Sequence, residues 1–153
     1  MPLSKDLREF VELLNANKVD YLVVGAFALA FYGVPRYTGD LDLLVRPTIE
    51  NGSRILHTLN DFGFGTLELT ADDFSGGDKI IQLGVNPNRI DLLTSISGLS
   101  FDEAWSSREA GDLDGVTVAF IGKSALIRNK EKTGRPRDIA DAEELKKRSP
   151  KSK

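Results

Sequence analysis

The sequence predicts one α/β domain (α+β in the wider sense), with a mixed β-sheet flanked by helices. Three observations carry this. Short apolar runs alternate with longer segments whose apolar residues recur at helical spacing. Two of the runs follow each other directly across a turn, which adds an antiparallel pair to the otherwise alternating order. No internal repeat or domain-scale linker interrupts the 153 residues, a length that suits one hydrophobic core.

Ser4 is placed to cap a first helix, in which Leu7, Phe10, Val11, Leu13 and Leu14 recur at helical spacing up to about Asn17. Residues 21–25 (YLVVG) read as a buried strand ending in glycine. Residues 26–33 are Ala-rich and too long for a tight turn, so a helix is expected there, stopped by Gly33. A loop over 34–39 leads to a second strand at 40–45 (DLDLLV). A helix then starts at Pro47 and Thr48 and runs to about Asp61, with Ile55, Leu56, Leu59 and Phe62 on one face. Residues 63–77 are Gly-rich and acidic, with a single helical turn at 71–74. Strands over 79–85 and 88–94 form a hairpin around Asn86, Pro87 and Asn88. Ser100 caps a short helix over 100–108. A turn at 112–115 precedes a strand over 116–121, and helices over 122–132 and 136–148 close the domain, the second opened by Pro136.

Composition is globular, with 41% hydrophobic and 28% charged residues. There is no cysteine, which excludes disulfides, thiolate metal sites and a thiol nucleophile, and the single histidine, His57, excludes a His-rich metal site. His57 is expected to be structural or exposed, and Trp105 and the phenylalanines to fill the core. No apolar run reaches membrane-spanning length and the first ten residues carry no signal-peptide core, so a cytoplasmic protein without membrane contact is expected. Net charge is −3, unevenly spread. Residues 146–153 (KKRSPKSK) carry five basic residues and are expected to form a disordered tail beyond a domain spanning 1–145. The remainder has 15 basic and 23 acidic residues, net −8, which argues against broad nucleic-acid binding.

The stretch GDLDLLVRP (39–47) places two acids in an apolar strand. Residues i and i+2 of a strand share a face, so Asp40 and Asp42 project together while Leu41 and Leu43 project to the other side. Like charges this close raise each other's pKa unless a cation lies between them. A divalent ion with oxygen ligands is the usual solution, and Mg²⁺ (or Mn²⁺) suits a carboxylate-plus-phosphate site. Asp91, in NRIDLLT, is a third acid in similar company. If its strand lies beside 40–45, Asp40, Asp42 and Asp91 would form a metal centre that activates an attacking oxygen and stabilises a leaving pyrophosphate. The plain alternative is a set of solvated acids on an edge strand. Gly25 leaves no Cβ in the way of a ligand, and the helix after it offers free N–H groups to phosphate. A dinucleotide-binding glycine motif is excluded, because only Gly25 and Gly33 are present where three glycines are needed, and there is no P-loop. Residues 123–137 hold six basic residues and one acid, a local reversal of charge. Lys123, Lys130, Lys132, Arg135 and Arg137 are placed to face phosphate, or to pair with Asp138, Asp141, Glu143 and Glu144 on a solvated face. Arg36 is placed either to contact phosphate or to brace its loop, and Thr38 to cap or orient the acidic strand.

The stretch VVGAFALAFYGVPRYTGDLDLLV (23–45) resembles the signature of the polymerase-beta-like nucleotidyltransferase superfamily. There, a glycine motif ends one strand and opens a helix, and a strand with alternating acids follows. Gly25-Ala26 matches the glycine motif, Asp40 and Asp42 the paired acids, and Asp91 the third acid. The spacing, the series Arg36-x-Thr38-x-Asp40-x-Asp42 and the segment TGRPRDIADAEEL (133–145) are similar to the small prokaryotic members, including minimal ones of toxin–antitoxin type. The resemblance covers most of residues 20–145 and implies the nucleotidyltransferase fold. It implies transfer of a nucleoside monophosphate from an NTP such as ATP to a hydroxyl of a protein, a tRNA end or a small molecule. Asp40 and Asp42 would hold Mg²⁺ or Mn²⁺, with Asp91 completing the site and assisting deprotonation of the acceptor. Gly25 and Ala26, with Arg36, Thr38, Lys123 and Lys130, are the candidates for nucleotide binding. One departure is Ala26, where many members have serine or a second glycine. It removes a hydroxyl that would reach the terminal phosphate, which weakens binding rather than abolishing it. The chain has no obvious separate acceptor-binding domain, so a homodimer or a cognate partner protein is expected to complete the cleft. The competing function is a non-catalytic subunit of a toxin–antitoxin or defence pair, against which the presence of all three acids argues.

Overall fold

The computed structural model describes residues 3–36, 39–63, 68–84 and 89–148. In chain order the elements are α1 (Lys5–Ala16), β1 (Tyr21–Val24), α2 (Gly25–Phe31), β2 (Leu41–Val45), α3 (Ile49–Phe62), a 3-10 turn (Ala71–Phe74), β3 (Ile80–Leu83), β4 (Ile90–Leu93), α4 (Phe101–Ser106), β5 (Glu109–Leu113), β6 (Val116–Phe120), α5 (Lys123–Thr133) and α6 (Pro136–Lys147). The helix starts are those the side chains demand. Ser4 Oγ accepts from the Leu7 N–H at 3.2 Å. At Ser100 the capping is reciprocal: its hydroxyl accepts from the Glu103 N–H, and the Glu103 carboxylate accepts from the Ser100 N–H.

The strands form one mixed sheet in the order β3-β4-β2-β1-β6-β5. β2 pairs antiparallel with β1 and parallel with β4, so the acidic strand is interior to the sheet. That removes the edge-strand explanation of its acids. Leu41 and Leu43 are fully buried on the opposite face. Each contributes about 1.5–3 kcal/mol by burial, which is what anchors the strand against a one-residue slip. α2 packs on β1 and β2, α1 packs on α3 and β6, and α5 packs along α6. The core runs continuously from Phe10 and Leu14 of α1 through Leu22 and Leu92 of the sheet to Leu126 and Leu145 of the last two helices.

One strand departs from the sequence reading. Residues 109–113 (EAGDL), which lie between the helix expected over 100–108 and the turn expected at 112–115 and overlap that turn, form β5 on the sheet edge, antiparallel to β6. Its composition gives no strand signal, since one face is solvent-exposed. What makes it a strand is the two-residue turn that follows. Asp114 and Gly115 have φ of 52° and 87°, the left-handed pair that reverses a hairpin tightly. The Phe31 ring of α2 then stacks flat on Phe120 of β6, 3.9 Å between centroids. α6 continues through Lys147, two residues into the segment expected to be a tail, while 149–153 and the 86–88 turn lie outside the described residues. His57 is exposed on α3, and Trp105 is half-buried against Phe101. Among the described residues no helix is long and apolar enough to cross a membrane.

Candidate active site

The site is built on two neighbouring strands. In the parallel ladder of β2 and β4, Asp42 stands directly beside Asp91. One step earlier the Leu41 N–H donates to the Arg89 carbonyl at 2.9 Å, so Asp40 and Arg89 stand beside each other just ahead of the strands. With a period of two along each strand, these four side chains make a square on one face: Asp40 and Asp42 along one edge, Arg89 and Asp91 along the other. Three corners are acids and one is a guanidinium. Arg89 Nη2 lies 3.2 Å from Asp40 Oδ2 and 3.2 Å from Asp91 Oδ2, and Arg89 Nε lies 3.0 Å from Asp91 Oδ1. Both oxygens of Asp91 are therefore engaged by Arg89, which also reaches Asp40.

Among the described residues, Asp42 has no such partner in reach of a direct ion pair. Burial, then the charge and hydrogen bonding of Asp91, then the charge of Asp40, push its carboxyl up to about 7, against a smaller pull from Arg89. Gly25 adds the other wall. It opens α2 with φ of +68°, and a Cβ there would come within 2.3 Å of Asp42 Oδ2. The glycine thus makes room first of all for an acid of the protein itself.

A second, cationic wall comes from α5 and α6. Asp138 and Asp141 lie one turn apart on α6, and both are buried. Arg36 forms a short ion pair with Asp141. Lys130 Nζ bridges Asp138 Oδ1 at 3.2 Å and Asp141 Oδ2 at 3.5 Å. Arg135 Nε and Thr133 Oγ1 each donate to Asp138 Oδ2 at 2.7 Å. Burial raises the Asp138 carboxyl, but the hydrogen bonds from Thr133, Arg135 and Lys130 outweigh it and hold it below the usual range.

Two cavities meet at these walls. One, of about 380 Å³, is bordered by Gly25 and Ala26, by the acids Asp40, Asp42 and Asp91, and by Arg36, Arg89, Lys130 and Arg137. The other, of about 560 Å³, shares Gly25, Asp42, Asp91, Lys130 and Arg135, and its further walls include Asp78, Ser95, Ile96, Ser97 and Asn129. The first is rich in fixed charge of both signs. The second adds hydroxyl, amide and apolar groups to its own charged residues, Asp42, Asp78, Asp91, Lys130 and Arg135. Asp42 and Asp91 are on the border between them.

The sequence-predicted residues divide accordingly. Asp40, Asp42, Asp91, Gly25, Ala26, Arg36 and Lys130 all border the smaller cavity. Lys123 does not come to the site: its ammonium donates to the Arg148 carbonyl at 2.9 Å at the far end of α6, and it borders neither cavity. The register of α5 carries it there, seven residues ahead of Lys130 and on the helix's first turn. Lys132 also borders neither cavity, whereas Arg135 borders both. The pairing of basic residues with α6 acids is real for Lys130 and Arg135 and coexists with their place at the cavities. Thr38 lies outside the described residues. Three residues escaped the sequence reading as parts of the site. Arg89 was detectable as the i−2 neighbour of Asp91 on the same strand face. Asp138 and Asp141 were detectable as an i, i+3 acid pair facing a basic helix.

The donor chemistry suits a hard divalent cation, since it consists of carboxylate oxygens only, with Asp42 and Asp91 side by side. Among the described residues no group of three acids is placed to hold a metal ion, so Asp40 does not join Asp42 and Asp91 in the three-acid centre the sequence suggests. At the Asp40 end the positive charge is Arg89.

No family model matches the chain, and no curated protein matches it by sequence. Solved structures do. A protein from Thermotoga maritima assigned as a nucleotidyltransferase shares 19% identity over 92% of this chain and 88% of its own, with a TM-score of 0.63. The lincosamide antibiotic adenylyltransferase LnuA, solved with lincomycin bound, shares 15% identity over 94% of this chain and 96% of its own, with a TM-score of 0.56. An antigenic nucleotidyltransferase-like protein from Paracoccidioides brasiliensis shares 18% over 95% and 78%, with a TM-score of 0.50. The chain has the nucleotidyltransferase fold.

Proposed function

We propose that the protein is a metal-dependent nucleotidyltransferase that moves a nucleoside monophosphate from an NTP to a hydroxyl of a small-molecule acceptor. The observation that carries this reading is the pair Asp42 and Asp91, side by side on interior strands at the border of two cavities of different chemistry. The smaller cavity has the cations for a polyphosphate: Arg36 and Lys130, braced by buried Asp141, with Arg135 and Arg137 at its rim. The larger one, at about 560 Å³, falls within the range of small-molecule sites and offers hydroxyl and amide groups. That favours a small acceptor over a protein or a tRNA end. The same fold accepts such a molecule in the lincosamide adenylyltransferase.

Asp42 and Asp91 would hold Mg²⁺ or Mn²⁺; the metal supplies a Lewis acid for the attacking oxygen and the phosphate. In the transfer, the acceptor oxygen forms a bond to the α-phosphorus, the bond from that phosphorus to the β-bridging oxygen breaks, and pyrophosphate leaves. The acceptor's proton passes to the Asp91 carboxylate. Lys130 and Arg36 hold the phosphate chain in line, each kept in one geometry by Asp141. Gly25 and Ala26 let the backbone approach the phosphates without a side chain intervening.

The test is incubation with each α-labelled NTP, Mg²⁺ or Mn²⁺ and a small-molecule extract. Label appearing in a small acceptor, and lost in Asp42→Asn, supports the reading. Folded protein that binds no metal–NTP by calorimetry sinks it; label appearing only in protein or RNA keeps the enzyme but overturns the acceptor class.

A further inference from the structure

We propose that Arg89 is a resident counter-ion of the acid cluster, occupying carboxylate oxygens that a divalent cation would take and competing with it for Asp91. The inference rests on the metal-dependent reading above and adds a residue to it.

The geometry carries the argument. Arg89 sits on β4's approach at the fourth corner of the square whose other corners are Asp40, Asp42 and Asp91. Its guanidinium takes both oxygens of Asp91, at 3.0 and 3.2 Å, and reaches Asp40 at 3.2 Å. Three carboxylates packed this closely repel, and this guanidinium pairs with both Asp40 and Asp91. A guanidinium is also the side chain suited to grip two carboxylates at once, by its fixed fork of donors. Asp91 is one of the acids whose oxygens must be available to a metal. Asp91, with one lone-pair site on each oxygen taken, is a weaker proton acceptor and metal ligand while the fork holds it.

Release is sterically open. The Arg89 side chain is 29% exposed and borders the smaller cavity, not the larger one. A guanidinium leaving the acids therefore stays beside Arg36, Lys130 and Arg137, where a polyphosphate would meet it. Arg89 thus acts as a placeholder that keeps the acids aligned before loading and as a phosphate contact after it.

The experiment is Mn²⁺ binding without nucleotide, followed by calorimetry and by the electron paramagnetic resonance of free Mn²⁺, in wild type, Arg89→Gln and Arg89→Lys. Removing a competing unit charge about 3 Å from the ligands makes Arg89→Gln bind Mn²⁺ roughly tenfold tighter. Arg89→Lys, which keeps the charge but loses the fork, binds Mn²⁺ tighter than wild type and less tightly than Arg89→Gln. Thermal melts add a second readout: metal-free Arg89→Gln melts lower than wild type, and Mn²⁺ raises its Tm by more than it raises that of wild type. Equal or weaker Mn²⁺ binding by folded Arg89→Gln overturns the competition, while binding that Asp42→Asn abolishes keeps the metal reading intact. No Mn²⁺ binding by any of the three overturns both. Should Arg89→Gln not fold, Arg89→Lys decides: Mn²⁺ binding tighter than wild type supports the competition, and equal or weaker binding overturns it.

Discussion

At the scale of single residues, the site is defined by two carboxyls that differ in company. Asp91 is gripped by Arg89, and Asp42 is crowded against Gly25. The Asp42 carboxyl, pushed up to about 7 from an ordinary 3.8, ties stability to pH. Its folded value lies above its unfolded one, so the folded state holds a proton that the unfolded state has released. The associated stability is fully present below pH 4 and is lost as pH rises through 7. Urea melts of metal-free protein at pH 5 and pH 8 should show this fall, and Asp42→Asn should flatten it; an unchanged slope in the variant would contradict the assignment. Gly25→Ala tests the other contact. A left-handed alanine costs about 1–2 kcal/mol even before the clash with Asp42, so Tm should fall by roughly 3–8 °C. A Tm within a degree of wild type would show that the close approach is dispensable.

At the scale of elements, helix α6 matters through its buried face. Asp138 and Asp141 collect Arg36, Lys130, Thr133 and Arg135 into one network that fixes the cationic wall. Asp141→Asn leaves Lys130 and Arg36 short of an acceptor in a poorly solvated place and should cost about 3 kcal/mol in chemical denaturation. NTP affinity should fall with it, since the two cations lose their orientation. Loss of stability with unchanged affinity would mean that the network serves the fold alone. The β5–β6 hairpin makes an independent prediction. Gly115→Val puts a β-branched residue at φ of +87° and should lower Tm by several degrees without touching NTP binding. This hairpin was legible in Asp114-Gly115 and was missed because the polar strand before it shows no alternation.

At the scale of the whole molecule, one sheet, walled by α2 on one strand pair and by α5 and α6 across the cleft, joins two cavities at Asp42 and Asp91. A ligand that binds only the folded state raises Tm by mass action. Mg²⁺ with an NTP at 100 times its Kd should stabilise the protein by about 2.7 kcal/mol, and a chelator should cancel the gain; a shift indifferent to chelation would separate nucleotide binding from metal. The sequence by itself determined what depends on near neighbours along the chain: the helix caps at Ser4 and Ser100, the shared face of Asp40 and Asp42, the glycine that opens α2, and the order of most elements. These follow from spacing of two or four residues and from local hydrogen bonds. Only the tertiary structure decided that β4 lies beside β2 with Asp91 against Asp42, that Arg89 closes the square, and that Lys130 reaches the cleft while Lys123 turns away. Each of these depends on how segments distant along the chain are set against one another, and in the strands a shift of one residue would send each of those side chains to the opposite face.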